Sequence, residues 1–204
     1  MFLYFVLVFK NQLQDLFKQK HFVEGTTHSE LTELAKKENP KIDAVVIKKT
    51  PKNDAYSMNK TKIVMSSAFF SGNFSEQEIN ALLYHEIAHT TEAKKDFLIP
   101  ALIIPILWIG VLSVFIFFEG TPLFLLFLAG ASLVSLYLLV VERVFSQSEF
   151  RADEEAAKRN GVDTLISALL KTVCFENLDC DSPTHPSTNR RISAIQKRER
   201  ISSS

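Results

Sequence analysis

Ser75-Glu76-Gln77-Glu78-Ile79-Asn80-Ala81-Leu82-Leu83-Tyr84-His85-Glu86-Ile87-Ala88-His89 is the stretch on which the reading of this 204-residue chain turns. Ser75 followed three residues later by Glu78 is a capping-box pattern, which opens a helix by satisfying backbone N–H groups at both ends of the box. Ile79, Leu82, Leu83 and Ile87 then recur at helical spacing. On that helix His85 and His89 are four residues apart and about 40° out of register, so both imidazoles can meet one metal ion. Glu86 is offset by about 100°. It can sit beside the metal without ligating it and take a proton from water there. Imidazole is a good zinc ligand, and zinc with two His leaves room for a third protein ligand and an open position. Coincidence on an ordinary amphipathic helix is the competing account. The chain has only five His, and the motif stands on the capped helix it requires.

Outward from the motif, the chain becomes apolar. Phe97 to Phe118 contains no charged residue and would make a helix about 33 Å long. Glu119-Gly120-Thr121-Pro122 interrupts it, and Leu123 to Val141 is again uncharged, for about 28 Å. Soluble helices keep a polar stripe and these have none, so a transmembrane hairpin over 97–141 is expected rather than a buried helical pair. Lys94, Lys95 and Arg143 flank the hairpin, and its turn carries no Lys or Arg. The positive-inside rule then leaves the turn outside and the rest in the cytoplasm of a multi-pass membrane protein. Met1 to Phe9 is apolar but too short to span. With Leu13, Leu16 and Phe17 among lysines, residues 1–20 read as a helix at the membrane surface or against the hairpin. Lys and Arg balance Asp and Glu, 23 against 23, so no broad basic surface points to nucleic acid. Cys174 and Cys180 read as reduced thiols, since a structural zinc site or a disulfide framework needs more cysteines.

The remainder, 21–204, reads as one α+β domain, mostly helical with a small sheet, into which the hairpin is inserted. Helices are expected over Ser29–Glu38, Gln147–Arg159, Asp163–Phe175 and Ser187–Arg200, and a strand over Ile42–Ile47. Asp54–Met58 and Thr61–Met65 can pair through a turn at Asn59-Lys60. Asn160-Gly161 is a helix stop. The helix after the hairpin carries Glu149 and Asp153, four apart on one face. A solvated acidic face has the same composition. Because the hairpin goes out and returns, its ends emerge together, which brings Glu149 back towards His89. Glu149 is therefore the expected third ligand, and Asp153 the partner that holds a ligand His in one tautomer.

A helical H-E-I-A-H, a transmembrane hairpin and then Glu149-Phe150-Arg151-Ala152-Asp153 together resemble the HtpX-type membrane zinc metallopeptidases. These are zincin-like gluzincins, more distantly similar to CaaX prenyl proteases and to mitochondrial inner-membrane quality-control peptidases. Thr184-His185-Pro186-Ser187-Thr188-Asn189-Arg190-Arg191-Ile192 is similar to that family's T-H-P-x-x-x-x-R-I. The resemblance implies that His185 and Arg191 face the active site, where either could donate to an oxyanion. It also implies that Asp54, Ala55 and Tyr56 form an edge strand that receives substrate, with Asp54 where the family usually has Asn. The activity implied is zinc-dependent endoproteolysis of unfolded or damaged membrane proteins at the bilayer. A processing peptidase of narrow, CaaX-like specificity is the first alternative. A non-catalytic metal-binding membrane protein is the second, and the intact Glu86 argues against it.

Overall fold

The computed structural model describes residues 25–58, 60–91, 106, 109–110, 113, 123–173, 179 and 185–202. The expected surface helix over 1–20, most of the first span, the turn at Glu119–Pro122, and Cys174 and Cys180 lie outside these residues. The chain divides into two compact units, 1–91 with 149–204, and 92–148.

In the first unit, strand β1 (Thr26–Thr27) leads into helix α1 (Ser29–Glu38), whose first turn is capped by the His28 imidazole. Asn39-Pro40 ends the helix as expected, because a residue before proline disfavours the helical region. Strands β2 (Ala44–Lys48), β3 (Ala55–Met58) and β4 (Lys62–Ser66) complete a four-stranded sheet of order β1-β2-β4-β3. The expected β3–β4 hairpin is present, with Met58 opposite Lys62 and Lys60 in the left-handed region at φ 61. β2 runs parallel to β4 and is linked to α1 by the Val45 N–H, which donates to the Thr32 hydroxyl at 2.9 Å.

Helix α2 (Glu76–Thr91) is the axis of this unit. Ile79, Leu82, Leu83 and Ile87 pack with Val45, Ile63 and Met65 of the sheet, with Leu31 and Ala35 of α1, and with the edge-to-face pair Phe69 and Phe74. On another face, Ala81 packs with Ala156, Leu165, Leu169 and Ile195. These come from α3 (Leu123–Asn160), α4 (Val162–Thr172) and α5 (Thr188–Ser202). Ala81 and Ala156 are fully buried. A helix covered on two sides has little solvent face left, so the polar side chains buried on it must be partnered or functional.

One such side chain is Glu78. Its carboxylate accepts the Ser75 backbone N–H at 2.7 Å, the Ser167 hydroxyl at 2.5 Å and the Lys171 ammonium at 2.8 Å, joining the start of α2 to α4. Burial pushes this carboxyl up, but the Lys171, Ser167 and Ser75 hydrogen bonds outweigh it and bring the group down from 4.5 to about 2. The stabilisation is therefore complete above pH 4.5 and is lost as pH falls towards 2. Glu78→Gln should lower unfolding stability at pH 7 by about 1–2 kcal/mol, at the modest end because Lys171 is partly exposed. Denaturant curves of wild type and variant should converge as the pH is lowered, and a gap that widens in acid would contradict this account.

The Asn160-Gly161 stop is where the sequence puts it. Gly161 has φ 87 and its N–H donates to the Ala157 carbonyl at 2.8 Å, closing α3 before α4 begins. The start of α3 differs from expectation. The second span and the helix expected over Gln147–Arg159 are a single helix, Leu123–Asn160. No glycine or proline lies between Ala131 and Asn160, and Glu142-Arg143 are good helix formers. The apolar run ends near Val141 with no break in the backbone.

In the second unit, α3 is long and apolar enough to cross a membrane, alone in this respect among the described residues. Leu125, Leu128, Leu136 and Leu139 are exposed along it. The Ser135 hydroxyl donates to the Ala131 carbonyl one turn back at 2.9 Å, which satisfies it without an outside partner. Ile106, Ile109, Gly110 and Ser113 of the first expected span are helical.

Candidate metal centre

His85, Glu86 and His89 lie in the last turns of α2, and Glu149 and Asp153 lie on α3. His185 and Arg191 come from the entry to α5 and its first turn. His85 and Glu86 are both buried, at 6% and 7% exposure. His85, His89 and Glu149 each turn one ligand atom to a common point, all within 4.8 Å of one another.

The spacing of these atoms tests the metal reading. His85 Nε2 and His89 Nε2 are 3.1 Å apart. His85 Nε2 is 3.5 Å from Glu149 Oε2, and His89 Nε2 is 3.3 Å from Glu149 Oε1. Zinc bonds of 2.0–2.2 Å to nitrogen and oxygen in tetrahedral geometry give ligand–ligand edges of about 3.3–3.6 Å. The two imidazole nitrogens and the two Glu149 oxygens are thus 3.1–3.5 Å apart in these pairs, close to the spacing that one zinc ion would set, so His85, His89 and Glu149 could hold it. Glu149 Oε2 is buried and has no hydrogen-bond partner, with Arg191 Nη1 at 3.3 Å the nearer of its two ionic neighbours. The Arg191 charge offsets part of the cost of burying this oxygen, and its free lone pairs remain available to a metal ion. The donor set of two imidazoles and one carboxylate suits zinc.

Asp153, fully buried, accepts from His85 Nδ1 at 2.9 Å. With a metal at the centre, that contact would keep a proton on Nδ1 and leave the Nε2 lone pair for the ion. Arg191 holds the other side of Asp153, with Nε donating to Oδ2 at 2.8 Å and Nη2 to Oδ1 at 2.5 Å. Burial pushes the Asp153 carboxyl up, but the Arg191 guanidinium overrides it and holds the group at about 2. Glu149 lies well below the carboxylate range: burial opposes this, and hydrogen bonds from His185, His85 and His89 outweigh burial. Burial and Arg191 depress His85, but its bonds to Asp153 and Glu149 prevail and raise it. Both carboxylates are ionised at neutral pH.

His185 Nδ1 is 3.0 Å from Glu149 Oε1, and the His185 side chain is 63% exposed. The sequence grouped His185 and Arg191 as alternative oxyanion donors, and the structure separates them. His185 stands at the open side of Glu149, whereas the Arg191 guanidinium is buried against Asp153 and Glu149. Ala55 and Tyr56 lie in β3 with Asp54 just before it. β3 ends the sheet, and among the described residues no strand pairs with its outer edge. The Glu78–Ser167–Lys171 junction was not read from the sequence, where Glu78 carries only a capping-box signal.

A small mixed sheet beside a helix bearing paired histidines, with a carboxylate from a second helix completing the set, defines a zincin-like metallopeptidase domain. Residues 23–199 match the family model described as Peptidase family M48, and the chain belongs to that family. This bears out the resemblance drawn from H-E-I-A-H and E-F-R-A-D. The crystal structure of S. mikatae Ste24p is similar, with a TM-score of 0.55 at 20% sequence identity over 95% of this chain. That likeness is one of fold, and the chain spans 56% of the length of that protein. No curated protein matches the sequence significantly.

Proposed function

We propose that this chain is a membrane-anchored, zinc-dependent endopeptidase. The observation that carries the reading is the convergence of His85, His89 and Glu149, each with a ligand atom within 4.8 Å of the others, at a carboxylate whose Oε2 is buried without a hydrogen bond. These three residues would hold the metal. When bound, zinc supplies Lewis acidity, which polarises a carbonyl and acidifies water. Glu86 accepts the proton of the attacking water and passes it to the leaving amine. Asp153 keeps His85 in the tautomer that presents Nε2. His185, exposed at the edge of the site, donates to the oxyanion that develops on the scissile carbonyl. The open edge of β3, with Asp54, Ala55 and Tyr56, receives an extended substrate segment as an added strand.

Anchoring rests on the apolar length of α3. Lys94, Lys95 and Arg143 favour a cytoplasmic active site. A metallopeptidase held at a bilayer suits unfolded or damaged membrane proteins as substrates, hence quality control. The detergent-solubilised chain should cleave an unfolded test protein, stop after chelation, and recover when zinc is restored to one equivalent. Zinc binding without cleavage of any unfolded substrate would count against broad specificity and favour a narrow processing enzyme.

A further inference from the structure

Arg191 is out of place for a group that greets substrate. Its side chain is only 14% exposed, and all three guanidinium nitrogens are engaged: Nε and Nη2 on the fully buried Asp153, Nη1 at 3.3 Å from Glu149 Oε2. Reaching an oxyanion would require it to leave a buried carboxylate without its partner, which low-dielectric surroundings penalise heavily. What the fork does accomplish is geometric. It fixes the plane of Asp153, whose Oδ1 sets the His85 ring, and it borders the Glu149 oxygen that faces His85 Nε2.

Accordingly, we propose that Arg191 is a positioning residue: through Asp153 and Glu149 it holds two of the three metal ligands in place, so metal affinity depends on the first turn of the C-terminal helix α5. Ligand geometry is therefore shared among three helices, α2, α3 and α5, and α5 contributes without ligating. The inference rests on the metal-centre reading given above.

Arg191→Lys separates geometry from charge, since lysine keeps the positive charge and loses the planar fork. Zinc affinity, measured by competition with a chromophoric chelator, should fall about 10- to 100-fold, the usual cost of losing a partner that orients a ligand. The visible absorption of the cobalt-substituted protein should change as well, since it reports ligand geometry. Asp153→Asn, which leaves Arg191 intact, should weaken zinc comparably, and the double variant should be little worse than either single one. Lysine-variant affinity and cobalt spectrum equal to wild type would overturn the proposal. So would additive losses in the double variant, or a drop in turnover with affinity unchanged, which is the mark of an oxyanion donor. Should Arg191→Lys not fold, unchanged zinc affinity in Asp153→Asn overturns it instead. A wild-type chain that binds no zinc sinks the metal-centre reading itself, a result distinct from these.

Discussion

Glu86→Gln should leave the zinc in place and remove the hydrolysis. The substitution keeps the shape of the side chain and deletes its basicity. Glu86 is buried on α2 beside His85, but it is not among the three residues whose ligand atoms converge. A glutamine there can still hydrogen-bond a water, yet it cannot take the proton that must leave as the carbonyl is attacked, nor return it to the amine. Loss of general-base assistance lowers turnover by about 100- to 10,000-fold. Loss of one nearby negative charge weakens zinc much less, because the ligand atoms are untouched. The expected profile is zinc at one equivalent per chain, substrate binding near wild type, and turnover close to background. Turnover within a few-fold of wild type would remove Glu86 from its assigned role and require another base. Loss of zinc together with activity would make Glu86 a part of the metal centre itself.

How far such assignments are legible in sequence depends on the range of the interaction that makes them. The capping box, the helix it opens and the Gly161 stop are local, each set by hydrogen bonds within a few residues, and they are found where the sequence puts them. The two histidines are legible for the same reason, since a four-residue spacing on a helix dictates a shared face. The position of β4 between β2 and β3 is not local. The Val45–Ile63 pairing depends on which apolar strands share the core, and nothing in either strand names its partner. The continuity of α3 was hidden for a different reason. Hydropathy reports which surroundings a helix suits, and its change at Glu142-Arg143 says nothing of the backbone, which continues without a break. Arg191 was legible as a residue of the site, but its direction was not. A motif gives a residue's company, and only the packing of α5 shows that its donors are taken by Asp153 and Glu149.

Glu149 offers the second large effect, and its size depends on the metal. Without metal, the Glu149 carboxylate is buried with one oxygen unsatisfied, so Glu149→Gln gives up favourable contacts with His185 and Arg191 but also sheds a buried charge. Because the carboxyl is held well below the carboxylate range, the contacts outweigh the burial, and the metal-free variant should be less stable than wild type at neutral pH. With zinc present the balance is different, because a ligand that binds only the folded state stabilises it in proportion to the logarithm of its concentration over Kd. At about a thousand times Kd this amounts to roughly 4 kcal/mol, or about 8–16 °C in Tm for a chain of this size. A neutral amide is a poor substitute for a carboxylate ligand, and the loss should exceed the roughly 100-fold that removal of an orienting partner costs. Thermal unfolding of wild type should therefore move upward on adding zinc to the chelated protein, while Glu149→Gln should hardly move at the same zinc concentration. In chelator the variant should unfold below wild type, and the diagnostic is the zinc-induced shift of each protein from its own chelated value. Equal zinc-induced shifts would mean that the third ligand lies elsewhere and that the convergence of Glu149 on the two histidines is fortuitous. A variant already unfolded in chelator would mean that Glu149 holds α3 to the start of α5 even without metal, through the His185 and Arg191 contacts that its charge sustains.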